Sequence, residues 1–418
     1  MEFGDNPAEA AFRAEARAWL EANAVPKGHP DDFSNGFFAL DSFPPEERAQ
    51  RTLEHAERCR AWQATLADGG WAGITWPLSA GGRGGTPIEA MIFAEEQAQF
   101  GVSTDVLSVA VTMVGPTIVT HGTDDQHKRF LVPMLRGEHI WCQLFSEPGA
   151  GSDLAGLGTR AERAGDEFVV NGQKVWTSAA DQADWAILLA RTDADVPKHR
   201  GITYFLVDMR TPGIEVRPLR QMSGASHFAE VFLTDVRIPA ENVLGEVNGG
   251  WGVAMTTLAN ERVMIGGNAM MKVPALLHLA RRFGRDDDPV VRQGLADAHI
   301  RADILRFFGY RVRTALGRGE MPGPEASCMK LAVAQHLKRT AELALAIEGP
   351  AGMLAHSEPT EGEPRWHWQF LQAPSIRIAG GSDEVQRNII GERVLGLPSD
   401  IRVDKAVSFR ELATRRPD

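Results

Sequence analysis

The chain reads as an α+β multidomain protein: an N-terminal helical domain, a central β-barrel or sandwich and a C-terminal four-helix bundle. Three observations predict this. Apolar residues recur at three- and four-residue spacing up to about residue 138, the period changes to two between about residues 140 and 236, and the helical period returns after Gly250. With 418 residues the chain is too long for a single core and suits two or three domains. The expected division is an all-α domain at 1–138, a β domain at 139–245 and a helical bundle at 246–418.

The first domain carries helical spacing over Ala11–Ala22, Pro45–Asp68, Pro87–Phe100, Val106–His121 and Gln126–Leu135, punctuated by Gly, Pro or Asp. The glycine-rich run from Leu78 to Gly85 follows a poor strand and precedes no Lys-Ser/Thr, so it reads as a connector rather than a phosphate cradle. The second domain shows short β-branched and aromatic runs at Phe168–Val170, Lys174–Thr177, Trp185–Ala190, Ile202–Val207, Ile214–Pro218 and Ala229–Thr234. Asn171-Gly172 between the first two predicts a tight hairpin. Residues from Pro239 to Val247 form the exit linker. Trp251–Phe283, Val290–Leu316, Ser327–Leu354 and Asp383–Leu395 then supply four long amphipathic stretches for the bundle, and the charge-rich tail after Ser408 reads as solvated.

Composition narrows the function classes. An apolar fraction of 43% and a charged fraction of 24% are those of an ordinary globular protein. The net charge of -11 speaks against nucleic acid or an anionic membrane surface as partner. Three widely spaced cysteines without CxxC spacing predict neither a disulfide framework nor a zinc site, and suit a reducing compartment. The first helix lacks the basic start and apolar core of a signal sequence, and no window approaches a membrane span, so a cytoplasmic protein is expected. No histidine pair has HxxxH or HExxH spacing and no Gly-x-Ser-x-Gly elbow occurs, which disfavours a metalloenzyme or a serine hydrolase.

The most informative stretch runs from Gln143 to Ser178. Its loop Glu147-Pro148-Gly149-Ala150-Gly151-Ser152-Asp153 leads into the sheet. Glycines there admit a close ligand, serines offer neutral donors, and Phe145 and Trp176 offer flat apolar surface suited to an aromatic ring system. By itself the loop is also consistent with a plain Pro-Gly turn. The segment EPGAGSD, with NGQKVWTS about twenty residues on and then ADWAILLART, resembles the middle domain of the acyl-CoA dehydrogenases, FAD-dependent enzymes that introduce a double bond beside a thioester. GGSDEVQRNIIGERVLGLP near the C-terminus extends the resemblance over nearly the whole chain.

That chemistry needs a carboxylate, partly withdrawn from water, to take the α proton while hydride leaves to the flavin. In many family members the base precedes the final Gln-Arg motif, where this chain has Gly380. Isovaleryl- and long-chain-type members place it on the first helix of the last domain, which here reads Leu258-Ala259-Asn260-Glu261-Arg262. Helical spacing sets Glu261 on a mainly apolar face with Thr257, Leu258, Met264 and Ile265, consistent with a base or with an ion pair at a helix seam. The resemblance favours the base. It also implies that Gly380 keeps a backbone donor for the thioester oxygen, and that Arg262 and Leu258 lie near the acyl-CoA, with Ser152 toward it as well.

For the cofactor, the resemblance implies Gln143, Phe145, Ser146, Trp176 and Ser178 around the flavin ring, with Ser382 and Glu384 nearby. The family completes its FAD site across subunits through an Arg and a downstream Gln, matched here by Arg281 and Gln293 at altered spacing, and the segment from Ala346 to Gly352 is altered too. The expected protein is therefore an acyl-CoA dehydrogenase passing electrons to an electron-transferring flavoprotein, as a homotetramer or heterotetramer. Two alternatives stand beside it: an oxygen-reactive acyl-CoA oxidase-like flavoenzyme, and a catalytically silent partner subunit.

Overall fold

The computed structural model describes residues 4–36, 40, 45–267, 273–318, 323, 324, 326–354, 366–401 and 404–415, with the side chains at 45, 46, 262–267 and 413–415 left out. It divides into two compact units, Asp5–Asn260 with Ile401–Asp418, and Met1–Gly4 with Glu261–Asp400.

In the larger unit, α1 (Pro7–Asn23), α2 (Pro45–Asp68), α3 (Pro87–Gln97), α4 (Gly115–His121) and α5 (Asp124–Leu135) precede the sheet. Local chemistry sets several of their starts. Asn6, Thr86 and Thr123 each cap a helix with Glu9, Glu89 or Gln126 three residues on reaching back to the cap, satisfying amides that have no helical partner. The stretch predicted as one helix from Val106 to His121 is a 3-10 turn, a π turn over Val109–Val114 and then α4. Phe12, Leu20, Trp62, Trp71, Ile92 and Phe93 make a core among the first three helices.

Seven strands follow: β1 (Trp141–Leu144), β2 (Arg160–Ala164), β3 (Glu167–Ser178), β4 (Trp185–Arg191), β5 (Ile202–Asp208), β6 (Ile214–Leu219) and β7 (Phe228–Pro239). They form one curled sheet in the order β1-β4-β2-β3-β7-β6, with β5 on the free side of β4. Every residue of β4 is buried, because both faces are covered. Ile187, Leu189, Tyr204 and Leu206 pack with Ile118, Phe130, Leu131 and Met134 of the helices. Ala186, Leu188, Phe205 and Val207 meet Phe168, Val170, Val231 and Ile238 across the curl. Each fully buried Leu or Ile contributes about 1.5–3 kcal/mol.

The expected hairpin at Asn171-Gly172 does not form. β3 runs straight through it, and the chain turns earlier, between Ala164 and Glu167, where Gly165 has φ +68°. Asn171 instead makes two side-chain hydrogen bonds to Asp235, one donated by its amide at 3.0 Å and one accepted from the Asp235 N–H at 2.9 Å. A Cβ at Gly172 would come within 2.3 Å of Thr159 Oγ1, so this glycine admits a neighbour rather than making a turn. β1 and β2 were not visible as period-two runs.

Helix α6 (Gly250–Gly267) contains the division between the units. In the smaller unit, α7 (Val273–Arg282), α8 (Pro289–Gly317), α9 (Ala326–Glu348), α10 (Trp366–Ile378) and α11 (Asp383–Ile389) pack with Leu276, Leu279, Ala298, Ala344, Ile347 and Trp366 at their core. α10, which contains Pro374, was not anticipated. The tail after Ser408 keeps the expected solvent contact at Arg410 and Glu411, which are exposed, but its described part is also docked. α12 (Phe409–Arg415) follows a backbone bridge from Pro197 to Ser408. The Phe409 and Arg410 amides donate to Val196 and Ala194 oxygens at 3.0 and 2.9 Å, Arg410 pairs with Asp195, and Phe409 lies 3.6 Å from the Arg191 guanidinium. Its charges are matched by charges on the sheet domain, which a view of the tail in isolation misses.

Candidate active site

The loop after β1 is anchored by a buried ion pair. Lys174 is fully buried, and its Nζ donates to Phe145 O at 3.0 Å and to Glu147 Oε1 at 2.8 Å. Glu147 also accepts from the Gly158 and Thr159 amides at 2.6 and 2.9 Å. Burial alone would raise the Glu147 carboxyl, but Lys174 and these donors hold it below its usual range. Arg191 fixes the far end of the loop by donating to Leu157 O and Ala155 O, and burial pushes it down to about 10. Lys198 joins Asp153, next to Ser152, to Asp404 of the tail at 2.8 and 2.6 Å. Glu147, Lys174, Arg191 and Lys198 were not singled out in the sequence. The available signal was a lysine on the inward side of a strand otherwise alternating in and out.

This scaffold fixes the rim around Trp176. The Val175 amide donates to Ser146 O at 2.9 Å, tying β3 to the loop. A register shift between Lys174 and Thr177 leaves Trp176 with φ +63° and 61% exposed, its ring edge-on to Phe228. A left-handed backbone on an aromatic residue is strained, and here it turns a large flat surface to solvent. Beside it the Thr177 hydroxyl is buried without a partner among the described residues. Gln143 and Ser146 are half-buried, and Ser178 and Ser152 exposed. These four and Trp176 thus share one loop-and-strand region. Phe145 departs from the expectation of ring contact: it is 3% exposed and packs edge-on against Tyr204 at 5.8 Å, so what it can offer a ligand is backbone.

The fit to a flavin rests on these features. A flat, accessible indole, an unpaired buried hydroxyl and a half-buried amide suit a planar ring with polar edges. Leu258 is half-buried against the core of the larger unit.

In the smaller unit, Glu261 is half-buried on α6. The Arg262 side chain lies outside the described residues. Gly380 and Gly381 have φ +64° and +90°, conformations that favour glycine. Ser382 caps α11 by accepting from the Val385 amide, and Glu384 is exposed beside Arg387. Arg281 and Gln293 are both exposed.

One further group of titratable side chains lies elsewhere. His55 and Asp105 hydrogen-bond at 2.7 Å, with Cys59 Sγ at 3.4 Å from each. Their potential ligand atoms lie within 4.8 Å of one another, although no metal spacing was visible because Asp105 is remote in sequence. Burial and the Asp105 charge push the Cys59 thiol far up, so the thiol stays protonated and hydrogen-bonded.

Comparisons with known proteins agree on one family. Models of the acyl-CoA dehydrogenase N-terminal, middle and C-terminal domains match residues 6–138, 142–236 and 248–395. Acyl-CoA dehydrogenase IpdE1 of Mycolicibacterium smegmatis is 37% identical over 406 residues, 94% of this chain and 98% of that protein. Acyl-CoA dehydrogenase FadE34 of Mycobacterium tuberculosis is 42% identical over 337 residues, 80% of this chain but 46% of its own length, so the chain spans under half of FadE34. Among solved structures, the Tcur3481-Tcur3483 steroid ACAD has a TM-score of 0.78 at 29% identity, covering 96% of this chain and all of that one. With three successive domain models and a relative matched over almost its entire length, the chain belongs to the acyl-CoA dehydrogenase family of oxidoreductases.

Proposed function

We propose that the chain carries out FAD-dependent α,β-dehydrogenation of an acyl-CoA thioester, with Glu261 as the base. The observation that carries this reading is the strained, exposed Trp176 beside the unpaired Thr177 hydroxyl, a feature without structural benefit to the free chain and suited to a flavin. FAD, when bound, supplies the acceptor for the β hydride. Gln143, Ser146, Trp176 and Ser178 would hold its ring, with the Phe145 backbone, and Ser382 and Glu384 would contribute near it. Arg281 and Gln293 would contribute from another subunit of a homotetramer or heterotetramer, a role to which their exposure is suited.

Glu261 takes the α proton onto its carboxylate. The Gly380 N–H donates to the thioester oxygen as negative charge gathers there. Ser152, Leu258 and Arg262 would bind the acyl-CoA. Electrons then leave to an electron-transferring flavoprotein, and the three free thiols suit a reducing, cytoplasmic setting. No helix among the described residues is long and apolar enough to cross a membrane. The likeness to a steroid ACAD supports a CoA ester with a steroid acyl group as substrate.

The test is anaerobic bleaching of the flavin by a panel of CoA esters, straight-chain, branched and steroid. Bleaching by one of them supports the reading. A purified protein without flavin colour would instead support the silent-partner reading, which the glycine at position 380 motivates. Peroxide release in air would mark an oxidase.

A further inference from the structure

The smaller unit buries a lysine whose hydrogen-bond partners are both backbone carbonyls. Lys330, on α9, is 2% exposed, and its Nζ donates to Gly381 O at 2.7 Å and approaches Arg377 O at 3.4 Å. No carboxylate is ion-paired with it among the described residues. Its site is costly for a cation: burial pushes the ammonium below its ordinary value, opposed by the charges of Asp383, Glu384 and Glu261 and reinforced by Arg377. A methionine or leucine would fill the same volume without that cost. The ammonium therefore calls for a role other than packing.

The position of the two carbonyls suggests one. Gly380 O accepts from Gln386 Nε2 at 3.0 Å, and Gly381 O accepts from the same group at 3.3 Å as well as from Lys330. Gln386 is itself buried, and a Cβ on Gly381 would come within 2.6 Å of its amide nitrogen. In a trans peptide the C=O and the following N–H point in opposite directions. Drawing both carbonyls toward Lys330 and Gln386 turns the N–H groups of Gly381 and Ser382 the other way and fixes Gly380 from its C-terminal side. Gly380, Gly381 and Ser382 make no backbone N–H hydrogen bond to protein among the described residues.

We infer that Lys330 is a positioning residue for the proposed dehydrogenation: with Gln386 it clamps the Gly380–Gly381 carbonyls, and by holding the left-handed backbone at Gly380 from its C-terminal side it sets the direction of that residue's own N–H, the amide that meets the thioester oxygen. This rests on the dehydrogenase reading for the identity of the ligand. It also explains why the turn persists without a glutamate at position 380, since its geometry is held from behind by Lys330 and Gln386 rather than by the side chain of the residue itself.

The test compares wild-type holoenzyme with Lys330→Met and Lys330→Arg. Amide hydrogen exchange followed by mass spectrometry should show faster exchange across residues 379–386 in Lys330→Met, with α8 unchanged. Anaerobic flavin reduction by an accepted CoA ester should slow roughly 10- to 100-fold at saturation, with little change in the half-saturating concentration, because aim rather than binding is lost. Lys330→Arg should recover part of both. If Lys330→Met does not fold, Lys330→Gln, a neutral donor, takes its place. Unchanged exchange at 379–386, a rise spread equally over α8 and α9, or full activity in a folded variant would each overturn the inference. If no CoA ester bleaches the wild-type flavin, the dehydrogenase reading fails, while the exchange measurement still decides whether Lys330 clamps the turn.

Discussion

The Lys174 ammonium is sealed from water, and Glu147 is the carboxylate that balances it. Removing one partner of such a pair leaves a buried charge and costs roughly 3–5 kcal/mol. Glu147→Gln should therefore lower the urea stability at pH 7 by that amount, the largest effect among single changes in the loop. The pH dependence has a definite sign. The folded Glu147 carboxyl titrates below its ordinary 4.5, so its stabilisation is complete above that pH and is lost as pH falls through the lower folded value. Acid unfolding of Glu147→Gln should be correspondingly flatter below pH 4.5. At Glu261 the expectation is catalytic instead. Glu261→Gln keeps size and removes the proposed base, so flavin should stay bound while bleaching by an otherwise accepted CoA ester falls by two or more orders of magnitude; stopped-flow reduction is the measurement.

At the level of elements, the docked α12 is where sequence and structure differ most. Period alone revealed α2 with both its ends, and the β4, β5 and β6 runs, because each has one dominant environment along its length. It missed α12 because Arg410 and Phe409 gain their meaning from Asp195 and Arg191, more than two hundred residues away. The same limit hid β2, whose exposed charges disguise pairing with β3, and made Asn171-Gly172 look like a turn when its partners were Asp235 and Thr159. In the candidate site, Trp176 and the GGSDE turn were legible from their motifs, whereas Lys174, Arg191 and Lys330 were not, since charged residues ordinarily face water. Phe409→Ala tests the docking. It should cost about 2 kcal/mol through lost burial and cation–π contact, seen as a melting temperature a few degrees lower and faster amide exchange at residues 194–200.

Across the whole molecule, the two units have separate cores, and each buries titratable groups of its own. His336, 1% exposed with Nδ1 unpartnered among the described residues, is pushed down to about 4 by burial and the nearby Arg301 charge. Between that value and the ordinary 6.5 the unfolded chain binds a proton that the folded unit refuses, so stability falls as pH drops through this window, by roughly 3 kcal/mol at most. The larger unit holds Glu147, which loses its effect at lower pH, together with His121 and His199, whose imidazoles burial also pushes below the ordinary value. Calorimetry stepped from pH 7 to pH 5 should therefore show a loss of stability in the unit containing α8 and α9, and His336→Leu should remove most of that loss. All ten tryptophans can be placed, and Trp176 alone among them is exposed. Excited at the red edge, the protein thus carries a built-in optical probe: iodide should quench this one indole selectively, and loading with isoalloxazine should darken it by energy transfer without any label being attached.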